Sequence, residues 1–115
     1  MIRTKENQPL EERVIRGGNG ETVMQKLLTG PEEMNGKGRM FNLMALLPGR
    51  SIGEHQHTGD SEYFYFMSGE GEYYDNGVWT TVHAGDIAIC ADGETHALIN
   101  KSDKTLVFMA LILYA

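Results

Sequence analysis

From Arg39 onward the apolar residues of this chain fall into short runs, each closed by glycine, proline or an Asn/Asp turn. Met40 to Leu47 is nearly continuous and ends at Pro48-Gly49, the pattern of a strand covered on both faces. Glu54 to Thr58 and the Tyr- and Phe-rich Ser61 to Met67 read as the next strands. Glu72 to Tyr74 and Val78 to Val82 flank Asp75-Asn76-Gly77, and Asn-Gly between β-prone runs predicts a tight hairpin because both residues tolerate positive φ. Ile87 to Cys90, His96 to Asn100 and Thr105 to Tyr114 complete the series.

The amino-terminal part is less regular. Thr22 to Leu28 predicts a short strand, and Pro31 to Gly38 a loop with one helical turn starting at the proline. Residues 1–20 are polar, carry the loop Gly17-Gly18-Asn19-Gly20, and hold at most one peripheral strand. No repeat or linker divides the chain, so residues 1–30 are expected as a peripheral segment of the same domain and 31–115 as its barrel. Nine or ten short antiparallel strands must cover their edges, which predicts an all-β single domain closed as a double-sheet barrel or jelly roll.

Composition narrows the partners. A chain of 115 residues with formal net charge -6 is poorly suited to nucleic acid or an anionic membrane surface, where Lys and Arg drive binding. The one cysteine, Cys90, allows no internal disulfide, and the first residues lack the apolar stretch of a secretory signal. A soluble, cytoplasmic protein is expected. The apolar run Leu106 to Tyr114 is far shorter than the roughly 20 residues of a membrane-crossing helix and belongs to a core.

The chemistry lies in two stretches. Gly49 to Gly69 contains His55, His57 and Glu62, and Gly85 to Asn100 contains His96. On a strand His55 and His57 point the same way, because side chains alternate with period two. A four-residue turn, Thr58 to Ser61, returns Glu62 to the same place, and Glu62, Phe64 and Phe66 then share the inner face. His96 comes from a distant strand with Leu98 and Asn100 on its face. Three imidazoles and a carboxylate suit a divalent transition metal that keeps open coordination positions. A carboxylate at the mouth of an aromatic surface also needs a cation or a partner.

These stretches resemble the paired signature of the cupin superfamily, G-x5-H-x-H-x4-E-x6-G and G-x5-P-x-G-x2-H-x3-N. Gly49, His55, His57, Glu62 and Gly69 fit the first half, and Gly85, Gly93, His96 and Asn100 the second. Ala91 stands where the signature has proline, a turn former and not a ligand. The resemblance implies a small cupin-type jelly roll, or double-stranded β-helix, with one Fe, Mn, Ni, Zn or Cu ion held by His55, His57, Glu62 and His96. Two neighbouring positions on an octahedral ion would then stay free for water, dioxygen or a bidentate substrate.

Other residues have two readings each. Asn42, Phe64, Phe66 and Leu98 are candidates for a substrate pocket, against ordinary roles in the core. Asp60 and Ser61 could orient the ligands or form a plain polar turn. Cys90 reads as a small buried side chain and His83 as exposed and inert. No Arg or Lys stands out on the ligand strands to orient an anion. The expected function is a metal enzyme acting on a small organic molecule, foremost a dioxygenase-like oxidoreductase. A non-catalytic small-molecule or metal-binding module and a metal-dependent isomerase or lyase, with Glu62 as base, are the alternatives, and a vestigial barrel ranks last. Outward Tyr63, Tyr65 and Trp79 point to a homodimer.

Overall fold

The structure, a computed structural model, describes residues 1–115. Its ten strands are β1 (Leu10–Arg13), β2 (Thr22–Leu28), β3 (Gly38–Leu46), β4 (Ser51–Gln56), β5 (Asp60–Ser68), β6 (Glu70–Asp75), β7 (Val78–His83), β8 (Ile87–Cys90), β9 (Thr95–Ile99) and β10 (Leu106–Tyr114). Two short 3-10 turns, Lys5–Asn7 and Pro31–Met34, accompany them, and the second begins at the proline as predicted. The strands form a six-stranded sheet in the order β1-β2-β3-β10-β5-β8 and a four-stranded sheet in the order β4-β9-β6-β7. Every strand pair is antiparallel.

The core lies between the sheets. Along β10 the even positions Leu106, Phe108, Ala110 and Ile112 are buried and the odd ones only half-buried, so an unbroken apolar run still alternates. Phe64, Phe66 and Phe108 pack together with ring centroids 4.7 to 6.2 Å apart. Met24, Met44, Leu46, Ile52, Tyr73, Val82, Ala88, Leu98, Leu106 and Ala110 complete the cluster. Burial of this kind stabilises by roughly 25 cal/mol per Å² of apolar surface removed from water.

The hairpin joining β6 to β7 turns on Asn76 and Gly77, both at positive φ, between the paired residues Asp75 and Val78. Two register shifts then shape the functional end of the barrel. Ile52 pairs with Leu98 and His55 with His96, so Gly53 and Glu54 together face Ala97 alone. Gly38 pairs with Leu113 and Met40 with Ile112, which leaves Arg39 without a partner on β10. Such bulges break the simple alternation and re-aim a side chain. The Ile15–Asn19 segment is laced to β4. Ile15 O accepts from Gly53 N at 3.1 Å, and Asn19 exchanges bonds with Ser51. A Cβ at Gly53 would collide with the Arg16 carbonyl oxygen, so that approach requires glycine.

Candidate metal centre

The four predicted ligands converge. The ligand atoms of His55, His57, Glu62 and His96 all lie within 4.8 Å of one another. His57 Nε2 and His55 Nε2 are each 3.1 Å from His96 Nε2, and Glu62 Oε1 is 3.1 Å from both His57 Nε2 and His96 Nε2. Donors at right angles, each about 2.1 Å from one ion, stand about 3.0 Å apart, so the set has the spacing of a shared ion. The route differs in detail from the sequence reading. β4 ends at Gln56, and His57 lies just beyond it, held by His57 N to Glu94 O at 2.9 Å and by Gly93 N to His57 O at 2.7 Å. The bulge at Gly53-Glu54 and this loop aim the pair inward, where strict alternation along one strand was expected.

Each ring is oriented from behind by a different group. His55 Nδ1 donates to Gly53 O at 2.7 Å, and His57 Nδ1 donates to Asp60 Oδ1 at 2.6 Å. Both partners only accept, so in a neutral ring Nε2 presents a lone pair to the cluster. His96 Nδ1 lies 2.8 Å from the buried Tyr73 hydroxyl, which can either donate or accept and so serves either tautomer. Phe64 stacks on the His96 ring at a centroid distance of 5.2 Å. One carboxylate oxygen and at least two nitrogen lone pairs thus face one another in a buried space. The arrangement calls for a shared proton or a cation.

Titration follows that geometry. The bond to Glu62 raises the His57 pKa, against burial, with Asp60 adding to the rise. Burial lowers that of His55, although Gly53 opposes it. Burial pushes the Glu62 carboxyl up, but His57 and His96 outweigh it and hold the group well below the usual carboxylate range. Burial, then the nearby Glu94, pushes the Cys90 thiol up to about 12, which makes it a poor nucleophile.

The cluster opens on a cavity of about 300 Å³. Met24, Met40, Met44, Ile52, Phe64 and Ile112 give it an apolar lining, and Val14 and Ile15 close one flank. Arg13, Arg16 and Arg39 also line it. No Arg or Lys was expected to orient an anion from the ligand strands, and these arginines come from elsewhere: from β1, from the segment after it, and from the bulge in β3. Of the four pocket candidates, Phe64 is on the wall. Phe66 and Leu98 are each two residues beyond a site residue, Phe64 and His96, and both are fully buried. Asn42 shares its buried face with Met40 and Met44, whose longer side chains reach the cavity while the carboxamide does not. Ser61 touches no ligand, but its Oγ accepts from Asp92 N at 3.0 Å and ties the turn at Ala91 to β5. His83 is exposed.

A β-barrel with an inward three-histidine, one-carboxylate group at its mouth defines a class of small metal-site barrels, and the comparisons make the class specific. The family model described as the cupin domain matches residues 42–112. The chain belongs to the cupin family. It is 39% identical over 113 residues to the oxalate-binding protein of Thermotoga maritima, covering 98% of this chain and 93% of that protein. The crystal structure of a predicted oxalate decarboxylase from T. maritima superposes with a TM-score of 0.93 at 37% identity, covering all of both chains. An uncharacterized conserved protein with a double-stranded beta-helix domain from Klebsiella pneumoniae gives 0.70 at 28% identity, over 87% of this chain and 83% of the other.

Proposed function

We propose that this cupin is a metal-dependent receptor for a small dicarboxylate of the oxalate type, bound at an ion held by His55, His57, Glu62 and His96. The observation that carries this reading is the juxtaposition of that donor set with Arg13, Arg16 and Arg39 in one cavity of about 300 Å³. The name of the T. maritima relative, an oxalate-binding protein, supports it. A bound divalent ion would supply the Lewis acidity and the free neighbouring positions that a chelating dianion requires. The chain supplies the rest: arginines that offset the anion's charge, and an apolar wall that excludes water and strengthens the attraction. Glu62 acts here as a ligand; a carboxylate held by two histidines is a weak base, which disfavours the isomerase or lyase reading.

Elemental analysis of protein purified without a histidine tag identifies the native ion. Calorimetric titration of oxalate into Mn²⁺-loaded and metal-free protein then tests the binding. Tight binding only to the loaded form is expected, and equal binding to both forms would refute the reading. Turnover is the second reading, favoured by the free coordination positions the donor set leaves. Dioxygen uptake by Fe²⁺-loaded protein with oxalate distinguishes a dioxygenase-like enzyme from a binding module.

Two further assignments belong to this proposal. Tyr65, Met67, Ile87 and Ile89 are about half exposed on neighbouring strands of the six-stranded sheet, which favours a homodimer; sedimentation reads it directly. The buried Cys90, with no disulfide, fits the cytoplasm, and the net charge of -6 argues against nucleic acid. No helix is long and apolar enough to cross a membrane.

A further inference from the structure

The three cavity arginines differ in how they are held. Arg13 reaches only Glu11, at 3.5 Å, and its side chain is 56% exposed. Arg16 has left-handed backbone, at φ 54, and forms no ion pair within the chain. Arg39 is anchored. Its Nε donates to Asp60 Oδ2 at 3.0 Å, and the other oxygen of the same carboxylate accepts from His57 Nδ1 at 2.6 Å. One carboxylate therefore separates the Arg39 guanidinium from the ring of a metal ligand.

That anchoring uses one of the five guanidinium N–H donors. The four on the terminal nitrogens make no hydrogen bond within the chain, although the residue lines the same cavity as His55, His57 and Glu62. Asp60 is nearly buried and has both oxygens engaged, so the Nε end of the fork has little freedom. The bulge that leaves Arg39 unpaired on β10 aims it here, since strict alternation would place it on the opposite face from Met40. A planar fork whose Nε end is fixed, on a side chain that is 38% exposed and lines an apolar-walled cavity, is suited to receive a carboxylate.

We propose that Arg39 is the specificity-determining residue of the site, its terminal nitrogens receiving carboxylate oxygens that the four-donor centre leaves uncovered. This rests on the reading of the site as a dicarboxylate receptor. A monocarboxylate satisfies the centre or the fork but not both, so Arg39 separates dianions from monoanions. Because Asp60 joins the fork to His57, the anion and the ion are coupled, and each tightens the other by the same factor.

The test compares oxalate with acetate on Mn²⁺-loaded wild type, Arg39→Gln and Arg39→Lys by calorimetry, with Mn²⁺ affinity measured separately in the absence of anion. Arg39→Gln is expected to weaken oxalate by about 100-fold and acetate by no more than about threefold. Arg39→Lys restores charge without the fork and should remain about tenfold weaker than wild type for oxalate. Mn²⁺ affinity alone should fall by less than about tenfold, since Asp60 still accepts from His57. An unchanged ratio of oxalate to acetate affinity in Arg39→Gln overturns the assignment, as does a parallel loss of Mn²⁺ and oxalate, which marks a merely structural residue. If wild type binds no oxalate, the receptor reading itself fails; if wild type binds and Arg39→Gln matches it, only the role of Arg39 does. Arg39→Lys keeps the test decisive if the glutamine variant does not fold.

Discussion

His57 and His83 each have two carboxylates nearby, and their surroundings give them opposite properties. His83 lies 3.7 Å from Glu70 and 3.9 Å from Asp86, and all three side chains are more than half exposed. Water screens such pairs, and their ordering entropy offsets most of the attraction. His57 is 3% exposed, with Asp60 at 2.6 Å and Glu62 at 3.1 Å on opposite ring nitrogens and His96 beside them. The residue types are the same; burial and convergence make the difference. A histidine between carboxylates becomes a site when one of them fixes its tautomer and the other joins its free nitrogen around a common point.

The sharpest break in that contrast comes from Glu62→Gln, which removes the charged donor from the buried group alone. Mn²⁺ affinity is expected to fall by roughly 100-fold or more, read by calorimetry and by metal content after purification. Asp60→Asn leaves all four donors in place but removes the charge behind His57. It should cost between about 10- and 100-fold in Mn²⁺ affinity, and retention of wild-type affinity would show that the 2.6 Å contact does not orient the ligand.

Acidity gives a graded test. The raised pKa of His57 means that its proton stabilises the metal-free fold; this contribution is complete below the ordinary value of 6.5 and is lost as pH rises through the raised value. An ion must displace that proton. The Tm increase produced by Mn²⁺ should therefore be small near pH 6 and grow steadily toward pH 8, and an increase independent of pH would contradict the shift. Glu62 works in the opposite sense: its lowered pKa stabilises the fold above the ordinary value of 4.5, and the contribution fades as pH falls below it. The smallest effect is expected at the exposed histidine. His83→Ala should leave Mn²⁺ affinity within about twofold of wild type and stability within about 0.5 kcal/mol by thermal melting.

How far the sequence discloses this molecule depends on the range of the contacts. Asn76-Gly77 encodes its hairpin locally, and the even positions of β10 face the core as period two requires. The donors His55, His57, Glu62 and His96 are legible because glycine turns set the lengths of the strands that carry them. Tyr73 and Arg39 are not. Tyr73 meets His96 through the pairing of β6 with β9, and nothing in Glu72-Tyr73-Tyr74 marks one tyrosine as inward. Arg39 reaches Asp60 only because a bulge reverses the side that alternation assigns it, and bulges leave little trace in a hydrophobic pattern. Arg13 and Arg16 belong to a stretch whose polarity reads as periphery, yet its backbone locks onto Gly53 beside the first ligand.

The span that matches the family, residues 42–112, contains all four metal donors and none of the three cavity arginines. On the reading proposed above, the charged contacts to a guest come from residues before this span, while the candidate metal donors and part of the apolar wall lie within it. Two barrels could share that span to the letter and admit different guests. On that reading, exchanging residues 1–41 between such barrels would move the charged part of the preference and would reach the metal only through the link from Arg39 by way of Asp60 to His57.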